Sequence, residues 1–178
     1  MTIQTHKPDT SRTYSFPSVG SSLDMSESPY HPGQVIRDAE KAYKFVLAED
    51  LALVVGWLVC YTTDDNGYEV TGDRDAGTSD NLQPAGLVVT AIPDGDWGLI
   101  QIRGLSEVDI VTDNGVSAGE EVKAHATTNG GGATADDVSA ENFGQALDAD
   151  TGTVLAAGLL RLQCPDYDPA LDAAIANP

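Results

Sequence analysis

Gly95-Asp96-Trp97-Gly98-Leu99-Ile100-Gln101-Ile102-Arg103-Gly104 is the stretch whose reading decides the fold. Within it Trp97, Leu99 and Gln101 alternate with Gly98, Ile100 and Ile102, a pattern that suits a strand buried on at least one face. Pro93-Asp94-Gly95-Asp96 leads in as a turn and Gly104 closes the run, so two glycines bracket the strand. The chain from residue 34 onward reads as short strands packed around it.

Upstream, Gln34–Ala39 and Ala42–Ala48 read as two strands, with Val35, Tyr43, Phe45 and Leu47 on the inward face. Asp38–Leu47 could also be written as a short helix, but its β-branched and aromatic content favours strands. Leu51–Thr62 follows as one apolar strand containing Trp57 and Tyr61. Asp64-Asp65-Asn66-Gly67 signals a hairpin, because Asn-Gly takes the positive φ values of a type I′ turn, and Tyr68–Thr71 returns from it. Beyond a polar loop, Gly72–Pro84, come strands at Gly86–Ile92, the opening stretch, Val108–Thr112 and Glu121–Ala126. Turns at Asp113-Asn114-Gly115 and at Val116–Glu120 separate the last two. Thr127–Asp137, holding Gly130-Gly131-Gly132, reads as a loop that its own side chains cannot order. No Lys-Ser/Thr and no helix pattern follow, so it is not a phosphate cradle. Phe143–Ala149 and Thr153–Cys164 are the closing strands.

This succession predicts an all-β fold: a compact antiparallel β-sandwich or barrel over residues 34–165. It carries an extended N-terminal arm, residues 1–33, and a short acidic Ala-rich tail, residues 166–178, with room for one short helix. With 178 residues, 41% of them apolar and 6% aromatic, the body can bury a sizeable, mainly aliphatic core. No apolar run approaches the ~18 residues of a membrane span, and the N-terminus lacks the basic-then-apolar layout of a secretory signal.

Charge removes further classes. Nine Lys+Arg against 28 Asp+Glu give a formal net charge of -19. Direct nucleic-acid binding runs on cationic contacts to phosphates and is not expected. An acidic body repels its own copies, so close assembly must be held by apolar surface, bound cations or extended arms. The arm, rich in Thr, Ser and Pro, scatters its apolar residues without period. Tyr14 and Phe16 in Tyr14-Ser15-Phe16-Pro17, and Tyr30 in Ser28-Pro29-Tyr30-His31-Pro32, are anchors suited to pockets of a neighbour, with prolines reducing the entropy lost on docking. Lys7 and Arg12 make the first part of the arm slightly basic, which suits an acidic partner.

Catalytic chemistry finds little footing. His6 and His31 lie in the arm and His125 in a strand, so no histidine pair or triad follows from spacing, and no enzyme is expected. Cys60 and Cys164 are too few for a disulfide framework or a zinc cluster and read as buried free thiols. In the Gly72–Pro84 loop, Asp73, Asp75 and Ser79 around Gly77 have a faint likeness to a calcium loop. The glycine falls one place late and Pro84 stands where a Glu is wanted, so no metal and no cofactor are expected.

Taken together, the ordered pieces Pro84-Ala85-Gly86-Leu87-Val88-Val89, Gly95 to Gly104, Val116-Ser117-Ala118-Gly119-Glu120-Glu121-Val122, Phe143-Gly144-Gln145-Ala146-Leu147 and Leu155-Ala156-Ala157-Gly158-Leu159-Leu160 resemble the capsid cement, or decoration, proteins of tailed bacteriophages. The resemblance covers roughly Gln34 to Cys164, and the arm is longer than the family's usual start. It implies a virion protein, made in the host cytoplasm, on the outer surface of the head. There it would bridge major capsid protein subunits and stabilise the shell against DNA pressure, often as a homotrimer at local three-fold positions, with no membrane and no direct nucleic acid contact. On that reading Tyr14, Phe16, Tyr30, Lys7 and Arg12 contact the capsid or a neighbouring subunit, while Trp57, Trp97, Ile100 and Ile102 belong to the core or the subunit interface. Two other readings stay open: a tail-tube or head-tail connector subunit, and an acidic β-module binding carbohydrate or calcium through Asp73, Asp75, Asp94 and Asp96.

Overall fold

The computed structural model describes residues 14–15, 30–62, 67–73, 83–112, 115–125, 129–134 and 142–164. Among these the chain is all-β, without helix. The strands are β1 (Tyr14–Ser15), β2 (Val35–Asp38), β3 (Lys41–Ala48), β4 (Leu58–Tyr61), β5 (Glu69–Thr71), β6 (Pro84–Val88) and β7 (Asp96–Leu105). They continue with β8 (Ile110–Val111), β9 (Glu121–Ala124), β10 (Gly132–Thr134), β11 (Asn142–Ala146), β12 (Val154–Leu155) and β13 (Leu160–Gln163).

β7, the strand of the opening stretch, organises the molecule. The path β7-β6-β4-β5-β3 closes when β3 pairs back onto β7, making a five-stranded barrel. All its pairings are antiparallel except β3 with β5. β7 is longer than the barrel needs. Its first residues carry β1 on one edge (Tyr14↔Trp97), its middle pairs with β6 (Val88↔Ile100), and its last residues pair with β13 (Gln163↔Arg103, Arg161↔Leu105). From β13 the sheet continues through β11 and β9 to β10. One strand thus belongs to both the barrel and this accessory sheet.

The alternation along β7 sorts its side chains into two cores. Ile100 and Ile102 join the main cluster with Val46, Ala48, Val59, Tyr61, Val70 and Val88, whose registers place them on the barrel's inner side. Trp97 and Leu99 join Tyr43 and Phe45 in a second cluster. Leu58 and Cys60 alternate with Val59 and Tyr61 and so face away from the lumen. The position of a Cβ on Gly132 would touch both Leu58 and Val122, which places the accessory sheet on that outer wall. Each fully buried Leu, Ile, Val or Phe contributes roughly 1.5–3 kcal/mol, so the two clusters account for the fold's cohesion.

Several strand boundaries differ from expectation, each for a backbone reason. Leu51–Thr62 is not one strand: Gly56 turns at φ 88, where a Cβ would lie 2.5 Å from the Asp109 carbonyl oxygen, and the run divides into an isolated bridge at Leu53, paired with Ile92, and the strand Leu58–Tyr61. Thr153–Cys164 likewise breaks at Gly158, φ 81, into β12 and β13. Gly104 does not end the central strand. It sits inside β7 at φ 94, next to a register shift opposite Ala42 and Tyr43. The glycine run is not wholly loop, since Gly132 begins β10 against β9. Over Asp38–Leu47 the strand alternative holds, with Ala39 (φ 51) in the turn that joins β2 to β3. Both faces of β3 are buried, and Val35, expected inward, is 39% exposed. β4 and β5 form the expected hairpin, with Gly67 at φ 67. Its tip at 63–66, the loop at 74–82, the turn at 113–114 and the tail at 166–178 lie outside the described residues.

Candidate functional site

Three features of the body carry polar or exposed groups in unusual places. The first is an aromatic face built on the N-terminal half of β7. Trp97 stacks on Phe45 (ring centroids 5.3 Å apart) and on Tyr68 (5.5 Å), and Tyr30 tilts onto Phe45 at 5.5 Å. β-strand alternation puts Phe45 and Trp97 on the same side of paired strands, where aromatic neighbours attract through offset stacking. Here the structure brings together three residues singled out in the sequence: Tyr30 and Trp97 by side-chain packing, and Tyr14 by backbone pairing with Trp97. Phe16, Lys7 and Arg12 lie outside the described residues.

The second feature is a polar network that the sequence pattern conceals. Gln101 shares the strand face of Trp97 and Leu99 and is fully buried. Its Nε2 donates to the carbonyls of Arg103 (3.1 Å) and Leu105 (2.7 Å), while its Oε1 accepts from the Glu107 amide (3.0 Å). One side chain thereby holds the turn that leaves β7. That turn presents the Glu107 carboxylate, whose Oε1 accepts from the Tyr43 hydroxyl at 2.7 Å and from Lys41 Nζ at 2.8 Å. Burial, and then the hydrogen bond to Glu107, push the Tyr43 phenol above its ordinary range. Inside the barrel, Lys44 Nζ donates to the Tyr61 hydroxyl at 2.7 Å and sits 4.5 Å from that ring's centroid. Both residues are buried.

The third is the outward face of the β7–β13–β11 layer. A depression of about 410 Å³ opens there between β7 and β13, with Arg103 and Arg161 on its wall. Sequence reading missed this pair, because nothing in the spacing of Arg103 and Arg161 says that their strands are neighbours.

The other flagged residues are placed as follows. Ile100 and Ile102 line the barrel interior. Trp57 is half-buried against the main core, and a Cβ on Gly72 or Gly130 would overlap its indole. Cys60 and Cys164 are free and buried; burial, with Cys60 nearby, pushes the Cys164 thiol up. Asp94 stands in the turn before β7 and Asp96 is that strand's first residue. Among the described residues no group of three or more His, Cys, Asp or Glu is gathered to hold a metal ion.

Comparison with known proteins adds little. No family model matches the chain, and no curated protein matches it. Among solved structures it is similar to the crystal structure of the head fiber gp8.5 N base in bacteriophage phi29, at 17% identity and a TM-score of 0.45, over 70% of this chain and 98% of that one. At that distance the likeness carries no argument for this chain.

Proposed function

We propose that this chain is a structural component of a bacteriophage head: a cement protein that binds the outer surface of the shell, bridges major capsid protein subunits and stabilises them against DNA pressure. One observation supports the reading above others. The sequence pieces that resemble cement proteins are scattered along the chain, yet three of them lie in β6, β7 and β11 and two more reach only the first residues of β9 and β13, and these five strands are consecutive neighbours in one sheet. Pieces far apart in the chain thus come to lie side by side.

The arm fits the same reading. β1 adds to the edge of β7 by backbone pairing, a mode of attachment that needs no deep pocket and tolerates sequence change. Residues 16–29 can span up to about 50 Å when extended, so an arm can make such a pairing on its own barrel or on a neighbour's. Tyr14 and Phe16 supply the side-chain anchors, and Tyr30 holds the base of the arm on the body.

The test is co-sedimentation with empty expanded phage heads, comparing the full chain, a chain lacking residues 1–32, and Tyr14→Ala/Phe16→Ala. Stoichiometric binding by the full chain, lost or weakened in both variants while the fold is kept, is the expected result. Failure of the full chain to bind any head, or equal binding by all three, overturns the cement role or the arm's part in it, respectively.

A further inference from the structure

We propose that the chain's own acidic segment, residues 165–178, folds back over the outward face of β7 and β13, where the Asp166 and Asp168 carboxylates bind the guanidinium groups of Arg103 and Arg161. The receiving face follows from alternation and register. Along β13, Leu160 and Leu162 are buried while Arg161 and Gln163 are exposed. Pairing sets Arg161 beside Leu105 and Gln163 beside Arg103, so the two arginines are diagonal neighbours across an antiparallel pair. That placement holds them roughly 7–8 Å apart, like charge beside like charge. Neither forms an ion pair among the described residues. Lys41, by contrast, is engaged by Glu107, and Lys44 is buried against Tyr61.

The occupant starts on the wall of this face. β13 ends at Gln163, which lines the depression of about 410 Å³ together with both arginines, and Cys164 is the last described residue. Residues 165–178 then carry Asp166, Asp168 and Asp172 and no Lys or Arg. Asp166-Tyr167-Asp168 matches the arginine pair in spacing as well as in sign. Residues two apart in an extended segment point the same way and lie about 6.5–7 Å apart, and Pro169 favours extended backbone at the residue before it. Asp168 follows Gln163 by five residues, a reach of up to about 17 Å, so both carboxylates can return over the face. Guanidinium forks grip carboxylates in bidentate fashion.

Net charge decides between this occupant and a separate one. At -19 the body repels a free anion, which can stay away. The segment is tethered in that same field wherever it lies, and the two unpaired arginines offset the field locally. Tethering also spares it the translational entropy that a separate partner loses. Glu40 borders the depression from the other side. Arg103 pairs with Ala42 on one edge and with Gln163 on the other, so β3 and the turn holding Glu40 flank β7 opposite β13. The segment leaves from the β13 edge, away from that carboxylate. Such a latch covers the arginine face until an acidic surface displaces it or salt screens it. It does not rest on the head reading, and its test uses no heads.

The experiment is chymotrypsin cleavage of the folded full chain after Tyr167 and Leu171, each rate divided by that of the free peptide 165–178 carrying the same substitutions. Circular dichroism confirms that every variant is folded. The wild-type segment is expected to be cut more slowly than its peptide. Arg161→Asp should speed cleavage about two- to fivefold, the scale of an exposed ion pair, and molar salt should do the same to the wild type. Arg37→Asp makes the same charge change at an exposed position of β2 and should leave the rate unchanged. Adding Asp168→Arg to Arg161→Asp should restore protection at Leu171. Equal rates in wild type and Arg161→Asp, equal acceleration by Arg37→Asp, or no rescue by the exchanged pair overturns the proposal. So does protection that grows with protein concentration, since the segment would then lie on another copy.

Discussion

Replacing Gly130 by alanine tests the idea that the glycine run exists to seat Trp57. Gly130 has φ 65, and a Cβ there would lie 2.1 Å from Trp57 Cγ and 2.2 Å from Cδ2. The indole has little room to retreat, because a Cβ on Gly72 would already stand 2.6 Å from its Cε3. The backbone bonds Leu58 N–H to Gly130 O and Gly130 N–H to Gly72 O, both within 2.9 Å, hold the three segments together. Forcing a non-glycine residue into the left-handed region costs about 1–2 kcal/mol, and overpacking adds about 1–3 kcal/mol. Gly130→Ala should therefore lose ~2–5 kcal/mol, a large part of the 5–15 kcal/mol typical of a domain. Gly95→Ala is the control: its φ is 75 but nothing lies within 4 Å of its Cβ, so only the backbone cost applies. Urea unfolding of both variants, and of Gly130→Ala in a Trp57→Leu background, separates the two contributions. Equal losses for Gly95→Ala and Gly130→Ala, or no relief from Trp57→Leu, would refute the packing argument.

Four further outcomes follow from the same geometry. Tyr43→Phe removes a hydrogen bond to a carboxylate and should cost about 1.5–3 kcal/mol at neutral pH in urea titrations. Because the folded state holds the Tyr43 phenol above its ordinary range, its contribution is intact below about pH 10 and is lost above it. Wild type should accordingly lose more stability than Tyr43→Phe between neutral pH and about pH 11; parallel pH profiles would count against the network. Gln101→Leu leaves two carbonyls and an amide without their partner and should cost roughly 2–4 kcal/mol, with faster hydrogen exchange at the Glu107 amide. Ile100→Ala, at the centre of the barrel, should cost ~2–5 kcal/mol by calorimetry or urea. Cys60 and Cys164 should both resist a thiol reagent in the native protein and both react in denaturant; prompt native labelling would contradict their burial.

Much of the body was legible because the inside-outside pattern of a strand is written locally. Trp97 to Ile102 announced a strand by alternation alone, Asn66-Gly67 announced a hairpin, and the β-branched content of residues 42–48 favoured strand over helix. The boundaries that failed, at Gly56, Gly104 and Gly158, did so where a glycine inside an apolar run bends the chain without any change in hydropathy. Gln101 and Lys44 were unreadable as interior residues, because a polar side chain on a strand says nothing of whether partners await it. Lys44 finds its partner, Tyr61, on another strand, and Gln101 finds its partners where the end of β7 and the turn after it curl back onto it, at Arg103, Leu105 and Glu107.

The sequence by itself thus determined the class of element, the acidic balance of the chain and the burial of at least one face of the central strand, since these depend on neighbours along the chain. Only the tertiary structure decided that β3 returns to β7 to close a barrel, that β5 joins β3 in parallel, that Gly130 lies on Trp57, and that Arg103 and Arg161 share one face. Those are matters of register between segments far apart in the chain, where a shift of one residue exchanges the inside of a strand for its outside. Register is selected by the packing of the whole, which no local window contains.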